Sequence, residues 1–175
     1  MSNVLVVTYS YTGISRRLAQ LLCEQQQWPL TEIRELRPRS GAWGTWRCIL
    51  DSVFRRQPPV RLEGAPPEDF DAVVLVAPVW LSRLAGPMRS FVAWNRRSLR
   101  NVAVISVQGS SGSSSNVAEI TRLIGRAPLL STVFGSREVE EGQGAARLRA
   151  FGNALSIGLQ PAAPVRPAVL SPQDA

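Results

Sequence analysis

Three almost continuous apolar runs rich in β-branched residues limit what this chain can fold into more than any other feature. They cover residues 4–7, 72–77 and 102–107. Both faces of such a run are apolar, which is typical of central strands in a parallel sheet that is covered on both sides. Two further segments, 30–36 and 129–134, mix polar and apolar residues and predict strands at the two edges of the same sheet.

Apolar residues at helical spacing fill the segments between these runs. The stripes are Ile14, Leu18, Leu21 and Leu22; Trp43, Trp46, Ile49, Leu50, Val53 and Phe54; Leu84, Met88, Phe91 and Val92, with Pro87 in the first turn; Val117, Ile120, Leu123 and Ile124; and Leu148, Phe151 and Leu155. This alternation predicts an α/β fold, a doubly wound three-layer sandwich around a five-stranded parallel sheet of order 2-1-3-4-5. We expect one domain over residues 1–158, followed over 159–175 by a Pro- and Ala-rich tail that is extended or disordered.

The absence of Lys and His and the small number of Cys exclude several classes of catalytic and metal-binding site. The formal net charge is +7, and all 20 basic residues are Arg, because the sequence contains neither Lys nor His. Without His, a Ser-His-Asp triad, a Cys-His dyad and a His-ligated zinc are excluded; without Lys, a P-loop nucleotide triphosphatase and a phospho-receiver are excluded. Cys23 and Cys48 are too far apart for a metal knuckle or a CxxC pair. The Arg residues are spread along the chain, which favours a basic solvated surface over a nucleic-acid-binding stripe.

Two features predict a cytoplasmic protein without a membrane span. The long apolar stretch over residues 73–81 is far shorter than the roughly 20 residues that cross a bilayer as a helix. No positively charged segment precedes the first apolar stretch, so we do not expect a signal peptide.

Each predicted central strand leads into an unusual loop, and in such sheets ligands bind beyond the carboxyl ends of the strands. The first loop consists of Ser10, Tyr11, Thr12, Gly13, Ile14 and Ser15, the second of Pro78, Val79, Trp80 and Leu81, and the third of Gln108, Gly109, Ser110, Ser111 and Gly112. The first loop predicts a phosphate-binding nest at a helix start, unless Thr12 or Ser15 forms an ordinary N-cap. Trp80 either covers a flat ring system or packs under the next helix. The third loop either brings its backbone close to a polar ring edge or is a flexible connector.

The three loops together resemble those of the flavodoxin-like family of bacterial FMN-binding proteins. The first loop is similar to the family's FMN phosphate loop, and the third matches its third flavin loop. The segment APVW, followed by Ala85, Gly86, Pro87 and Phe91, resembles the second flavin loop. Residues 39–44, which lead to residues 58–60, resemble a subgroup of these proteins. The resemblance covers the chain up to about residue 158.

The resemblance implies noncovalently bound FMN. The residues that would hold its phosphate are Ser10, Thr12, Gly13, Ile14 and Ser15, with Tyr11 contributing through its backbone. The isoalloxazine ring would lie between the second and third loops. The chain departs from the family in three respects. Ile14 stands where the family often has Asn, and the third loop lacks the aromatic residue that sandwiches the flavin in many short-chain flavodoxins. Typical flavodoxins are also strongly acidic, whereas this chain is basic.

By the same resemblance, we expect an electron carrier that acts with a redox partner protein. One alternative is an FMN-dependent reductase that oxidises NAD(P)H and reduces a quinone or a flavin, since an open ring face would admit a nicotinamide. A second alternative is a basic docking module that keeps the fold without the cofactor. The sequence leaves these alternatives open, and it leaves the oligomeric state open, a homo-oligomer included.

The role of Trp80 is testable by substitution. If its ring stacks on the flavin, Trp80→Ala weakens FMN binding by about 1–2 kcal/mol, through lost area burial and stacking. A fluorescence titration with FMN measures the affinity, and thermal unfolding measures the stability. A loss of stability with unchanged affinity would place Trp80 in the core instead.

Overall fold

The computed structural model describes residues 3–36, 57–80, 83–109 and 115–159. The helix predicted over 43–54 lies outside the described residues, as does all of the predicted tail beyond Leu159. Four residues of the predicted loops also lie outside: Leu81, Ser110, Ser111 and Gly112. Within the described ranges, every helix is too short or too polar to traverse a bilayer.

A mostly parallel sheet forms the middle layer, and helices cover both of its faces. The strands of the described residues are β1 (Val4–Thr8), β2 (Leu30–Glu35), β3 (Val60–Glu63), β4 (Ala72–Trp80), β5 (Arg83–Leu84), β6 (Val102–Gln108) and β7 (Leu130–Gly135). The helices are α1 (Ile14–Gln26), α2 (Gly86–Asn95), α3 (Ser115–Ile124), α4 (Ser136–Glu140) and α5 (Ala145–Gly158), and a short 3-10 turn over Pro67–Asp69 precedes β4. These elements make an α/β three-layer sandwich.

The register of the parallel strands brings their carboxyl ends to the same side of the sheet. The strands lie in the order β3-β2-β1-β4-β6-β7, and β5 pairs with β4 outside this path. Thr8 of β1 lies opposite Val76 of β4, and Pro78 of β4 lies opposite Val107 of β6. The segments that follow β1, β4 and β6 therefore leave the sheet at one common edge.

Two hydrophobic clusters, one on each face of the sheet, follow from alternation along the strands. In β1, Val4 and Val6 belong to the cluster that includes Leu18 of α1, whereas Leu5 and Val7 belong to the other. The first cluster also contains the buried stripe of α5, and the second contains the apolar sides of α2 and α3. This explains why the central runs are apolar at almost every position, because neither face meets water.

The prediction of a five-stranded, all-parallel sheet is wrong in two places. Strand β3 pairs antiparallel with β2, so β2 is not an edge strand, and β5 pairs antiparallel with β4. Neither strand contains a continuous apolar run: β3 alternates half-buried and exposed residues, and β5 has only two residues. The short helix α4 was also absent from the predicted elements, because one and a half turns carry no readable periodicity.

The second predicted loop begins later than expected. Pro78, Val79 and Trp80 are the last residues of β4, and the chain then turns back through β5 as a hairpin. Leu84, which was predicted to lie in the next helix, belongs to β5 instead. That helix begins at Gly86, and Pro87 lies in its first turn as predicted. Gln108 likewise is the last residue of β6. The proline in this apolar run was the reason to expect the strand to end there, but Pro78 remains paired in parallel register with Val107 of β6.

A charged side chain lies at each outermost strand of the described sheet, on β3 itself and, beside β7, from helix α5. On β3, Arg61 and Glu63 are exposed and lie 2.7 Å apart. At the other side, Arg147 of α5 donates to the carbonyl oxygen of Val133 in β7 at 3.0 Å. The guanidinium carbon of Arg147 also lies 4.1 Å from the ring centroid of Phe134.

The turn after β3 requires glycine. Gly64 has φ +140, and a Cβ there would lie 2.8 Å from the carbonyl oxygen of Leu30 and 2.9 Å from the Cα of Thr31. We expect Gly64→Ala to lower the free energy of unfolding by about 3 kcal/mol, through backbone strain and overlap with β2. Gly142, at φ +72 with nothing within 4 Å of such a Cβ, is the matched control.

We expect Gly142→Ala to lower the free energy of unfolding by only about 1 kcal/mol, since strain alone acts there. Urea denaturation of both variants measures the difference. Equal losses would show that β3 moves away from β2 at little cost.

Candidate functional site

The chain leaves β1 through a short turn that is anchored to β4. The carbonyl oxygen of Val76 accepts hydrogen bonds from the Thr8 hydroxyl at 3.0 Å and from the Tyr9 amide at 3.2 Å. Tyr9 itself is buried, and its hydroxyl donates to Glu35 Oε1 at 2.6 Å. The first loop therefore starts from a fixed point at the end of the sheet.

Glycine forms the N-cap of α1. Gly13 has φ +92, and its amide donates to Ser10 Oγ at 3.0 Å, which closes the turn. The alternative in which Thr12 or Ser15 forms an ordinary N-cap is wrong, because Gly13 occupies the cap and no side-chain hydrogen bond to the cap is present. Thr12 is exposed, Ser15 is buried, and Ile14 begins the helix half-buried.

The start of α1 has the properties of an anion site. A helix leaves the N–H groups of its first turn without intrahelical partners, and the helix dipole adds positive potential there. The first turn contains no acidic residue, and a Cβ built on Gly13 would meet nothing within 4 Å. Backbone amides and open space thus lie together at the mouth of the first loop.

The second segment is the hairpin of β4 and β5. Val79 pairs with Leu84, and Trp80 pairs with Arg83. Both residues of β4 lie beyond the last ones that pair with β1 and β6. Pro78 and Val79 are half-buried, and Leu84 is buried. The hairpin stands at the same sheet edge as the first loop.

A buried ion pair lies beneath this hairpin. Arg89 of α2, which is 2% exposed, places its Nε 2.5 Å from Glu119 Oε1 of α3. Arg89 Nη2 donates to the carbonyl oxygen of Leu84 at 2.8 Å, and the Leu84 amide donates to Glu119 Oε2 at 3.3 Å. The ion pair of Arg89 and Glu119 was not predicted from the sequence. The only sign of this pair in the sequence is a charged residue beside the apolar stripe in each of the two helices.

The third segment is only partly described. Gln108 ends β6 half-buried, and Gly109 is exposed with nothing within 4 Å of a Cβ built on it. Beyond the gap, Asn116 in the first turn of α3 donates to the hydroxyl of Ser106 in β6, and both residues are buried. The structure thus brings Gln108 and Gly109 to the same edge as Ser10–Ser15 and Pro78–Val79.

A polar cleft of about 350 Å³ lies beside the first loop. Its lining includes Tyr9, Ser10, Tyr11 and Arg16, with charged residues from β2 and β3. Arg16 Nε lies 3.0 Å from Glu32 Oε1, and Arg34 Nε donates to Glu63 at 3.1 Å. Desolvation alone would raise the pKa of Glu63, but the hydrogen bond from Arg34 and the charges of Arg34 and Arg61 outweigh it and lower that pKa. The cations of this cleft are therefore engaged with carboxylates.

A second cavity of about 420 Å³ lies between α1 and the connection from α4 to α5. Its lining includes Leu18, Leu21 and Val139, and it contains none of the predicted site residues. Cys23, further along α1, packs against the core, and burial raises the pKa of its thiol to about 12. Thiolate chemistry at neutral pH is therefore not expected of Cys23. Across the described ranges, no cluster of three or more potential ligand side chains could hold a metal ion.

Comparisons with known proteins bear on the fold. The sequence matches no family model and no curated protein. A flavoprotein from Lactobacillus acidophilus NCFM, solved in complex with FMN, is 17% identical, with 81% of this chain and 98% of that chain covered and a TM-score of 0.67. A candidate flavoprotein from Bacteroides eggerthii is 15% identical, with 89% and 99% covered and a TM-score of 0.70. A flavodoxin from Streptococcus pneumoniae is 12% identical, with 89% and 99% covered and a TM-score of 0.55.

These similarities extend over nearly the whole length of each solved protein. The fold that they share with this chain is an α/β fold with a mostly parallel central sheet and flanking helices. This chain therefore has the flavodoxin-like fold, as its three loops predict.

Proposed function

We propose that this protein binds FMN noncovalently and acts in electron transfer. The observation that carries the proposal is the start of α1, where Gly13 supplies a side-chain-free cap with φ +92 and open space before it. A phosphate monoester suits this place, because it accepts several amide hydrogen bonds and its charge is favoured at a helix N-terminus. The FMN-containing flavoprotein from L. acidophilus shares the fold and supports the choice of ligand.

The residues of the first loop fit a phosphate group. Ser10 Oγ already accepts the Gly13 amide, which leaves the hydrogen of its hydroxyl to donate outward. Thr12 is exposed at the mouth of the loop and offers a second hydroxyl. Ile14 offers no polar side chain, but its amide lies in the first turn of α1, so the departure from Asn removes one hydrogen bond and keeps another.

The ring would lie against the ends of β4 and β6. Pro78 and Val79 are half-buried at the end of β4, and Gln108 and Gly109 leave β6 at the neighbouring position. When bound, FMN supplies the electron-transfer chemistry, and the protein supplies binding, orientation and electrostatics. The +7 net charge of the chain favours a negatively charged reduced flavin more than the acidic surface of typical flavodoxins does.

A fluorescence titration with FMN, with riboflavin as the control, tests the binding. We expect quenching of FMN with a Kd in the low micromolar range or below, and riboflavin at least about 100-fold weaker, because it lacks the phosphate. Similar binding of the two would contradict the phosphate assignment. If neither binds, the fold serves without the cofactor, and salt-sensitive binding of an acidic partner becomes the function to test.

Substitution of Gly13 tests the site itself. We expect Gly13→Asp to weaken FMN binding by about 100-fold or more, because a side chain and a negative charge would face the phosphate. Gly125 has φ +78 and the same open space, but it follows α3 and lies away from the first loop. Gly125→Asp thus carries the same kind of backbone strain and should leave the affinity unchanged. Equal losses in the two variants would refute the assignment.

The turnover of the FMN-loaded protein distinguishes a carrier from a reductase. As a carrier, it should oxidise NADH or NADPH with a quinone acceptor no faster than free FMN at the same concentration. It should also accept electrons from a reductant such as dithionite and pass them to a one-electron acceptor. Saturable NAD(P)H oxidation that depends on the protein would instead make it a reductase.

A further inference from the structure

The buried pair of Arg89 and Glu119 holds both backbone polar groups of one residue in the hairpin. Leu84 directs its carbonyl oxygen to Arg89 and its amide to Glu119. Leu84 is also the residue that pairs with Val79, at the end of β4. The pair thus connects α2, α3 and the hairpin at a single point.

We infer that Arg89 and Glu119 are positioning residues that fix the β4–β5 hairpin where it forms one wall of the flavin-ring site, an inference that rests on the proposed function. Neither side chain is expected to touch the ligand, since both lie under the hairpin. Their effect passes through Leu84 to Val79 and Trp80. We call these two residues the hairpin clamp.

The geometry favours a positioning role over a purely stabilising one. A buried ion pair is weak support for stability, because desolvation of both charges offsets much of their attraction. Both charged groups of this pair are nevertheless committed to the backbone of Leu84, within 2.8 Å and 3.3 Å. Two apolar side chains could fill the same volume, but they could not hold an amide and a carbonyl in place. What the ion pair adds is therefore the orientation of the hairpin.

The double substitution Arg89→Met with Glu119→Met tests the clamp, because it keeps the volume and leaves no unpaired charge. We expect FMN to bind about tenfold more weakly, with a smaller visible circular dichroism signal at saturation, since the ring loses one fixed wall. We also expect the inhibition constant of inorganic phosphate, measured by competition with FMN, to stay within a factor of two. Hydrogen exchange at the Leu84 amide should become faster.

Ile120→Val is the matched control. Ile120 follows Glu119 on α3 and is fully buried, but its side chain makes no hydrogen bond to the hairpin. This substitution lowers stability by removing one methyl group and should leave the FMN affinity and the dichroism signal unchanged. If the double variant does not fold, Arg89→Lys is assessed by the same measurements, because lysine keeps the charge but replaces the two separate donor nitrogens of Arg89 with a single ammonium nitrogen.

The outcomes separate the inference from the proposed function. If wild type binds FMN and the clamp variant retains full affinity and dichroism, the inference is overturned and the proposed function stands. The same holds if FMN and phosphate weaken by equal factors, since the pair would then act on the whole fold. If wild type binds neither FMN nor phosphate, both the proposed function and the inference are overturned.

Discussion

Strands that are apolar on both faces must be covered on both faces, and the rest of this structure depends on that requirement. In β1, β4 and β6 the side chains of alternate residues enter two separate clusters. Helices on both sides of the sheet meet this requirement, and each connection between parallel strands must cross over the sheet. The ends of the three central strands therefore meet at one edge, and the candidate site results from the same constraint that builds the core.

Periodicity revealed the elements whose burial is strong and continuous. The central strands and the buried faces of α1, α3 and α5 follow from it, because each has enough turns or residues for the pattern to repeat. The pattern failed for β3 and β5, which have four and two residues, and for the end of β4. In those places pairing with a neighbouring strand decides the structure, and segments this short show no repeating apolar pattern.

The candidate site likewise contains features that the sequence pattern indicates and features that it does not. Gly13 was predictable as a candidate site residue, because a hydroxyl-rich turn and a glycine before a helix form a local pattern with a known physical use. The buried contacts of Arg89 were not predictable, because its partners lie on another helix, 30 residues away, and on a strand of two residues. A charge beside an apolar stripe is usually read as a solvated position, and only the tertiary structure shows that this arginine is buried.

The outermost strands also influence how copies of the molecule meet. An unpaired strand edge can add a strand from another chain, which is a common route to aggregation. Here β3 is only four residues long and carries an exposed Arg–Glu pair, and on β7 the carbonyl of Val133 is occupied by Arg147. Both edges are thus poor templates for strand addition. At high concentration, the described part of the molecule should resist sheet-to-sheet polymerisation, and this resistance depends on one arginine at each edge of the sheet, Arg61 and Arg147.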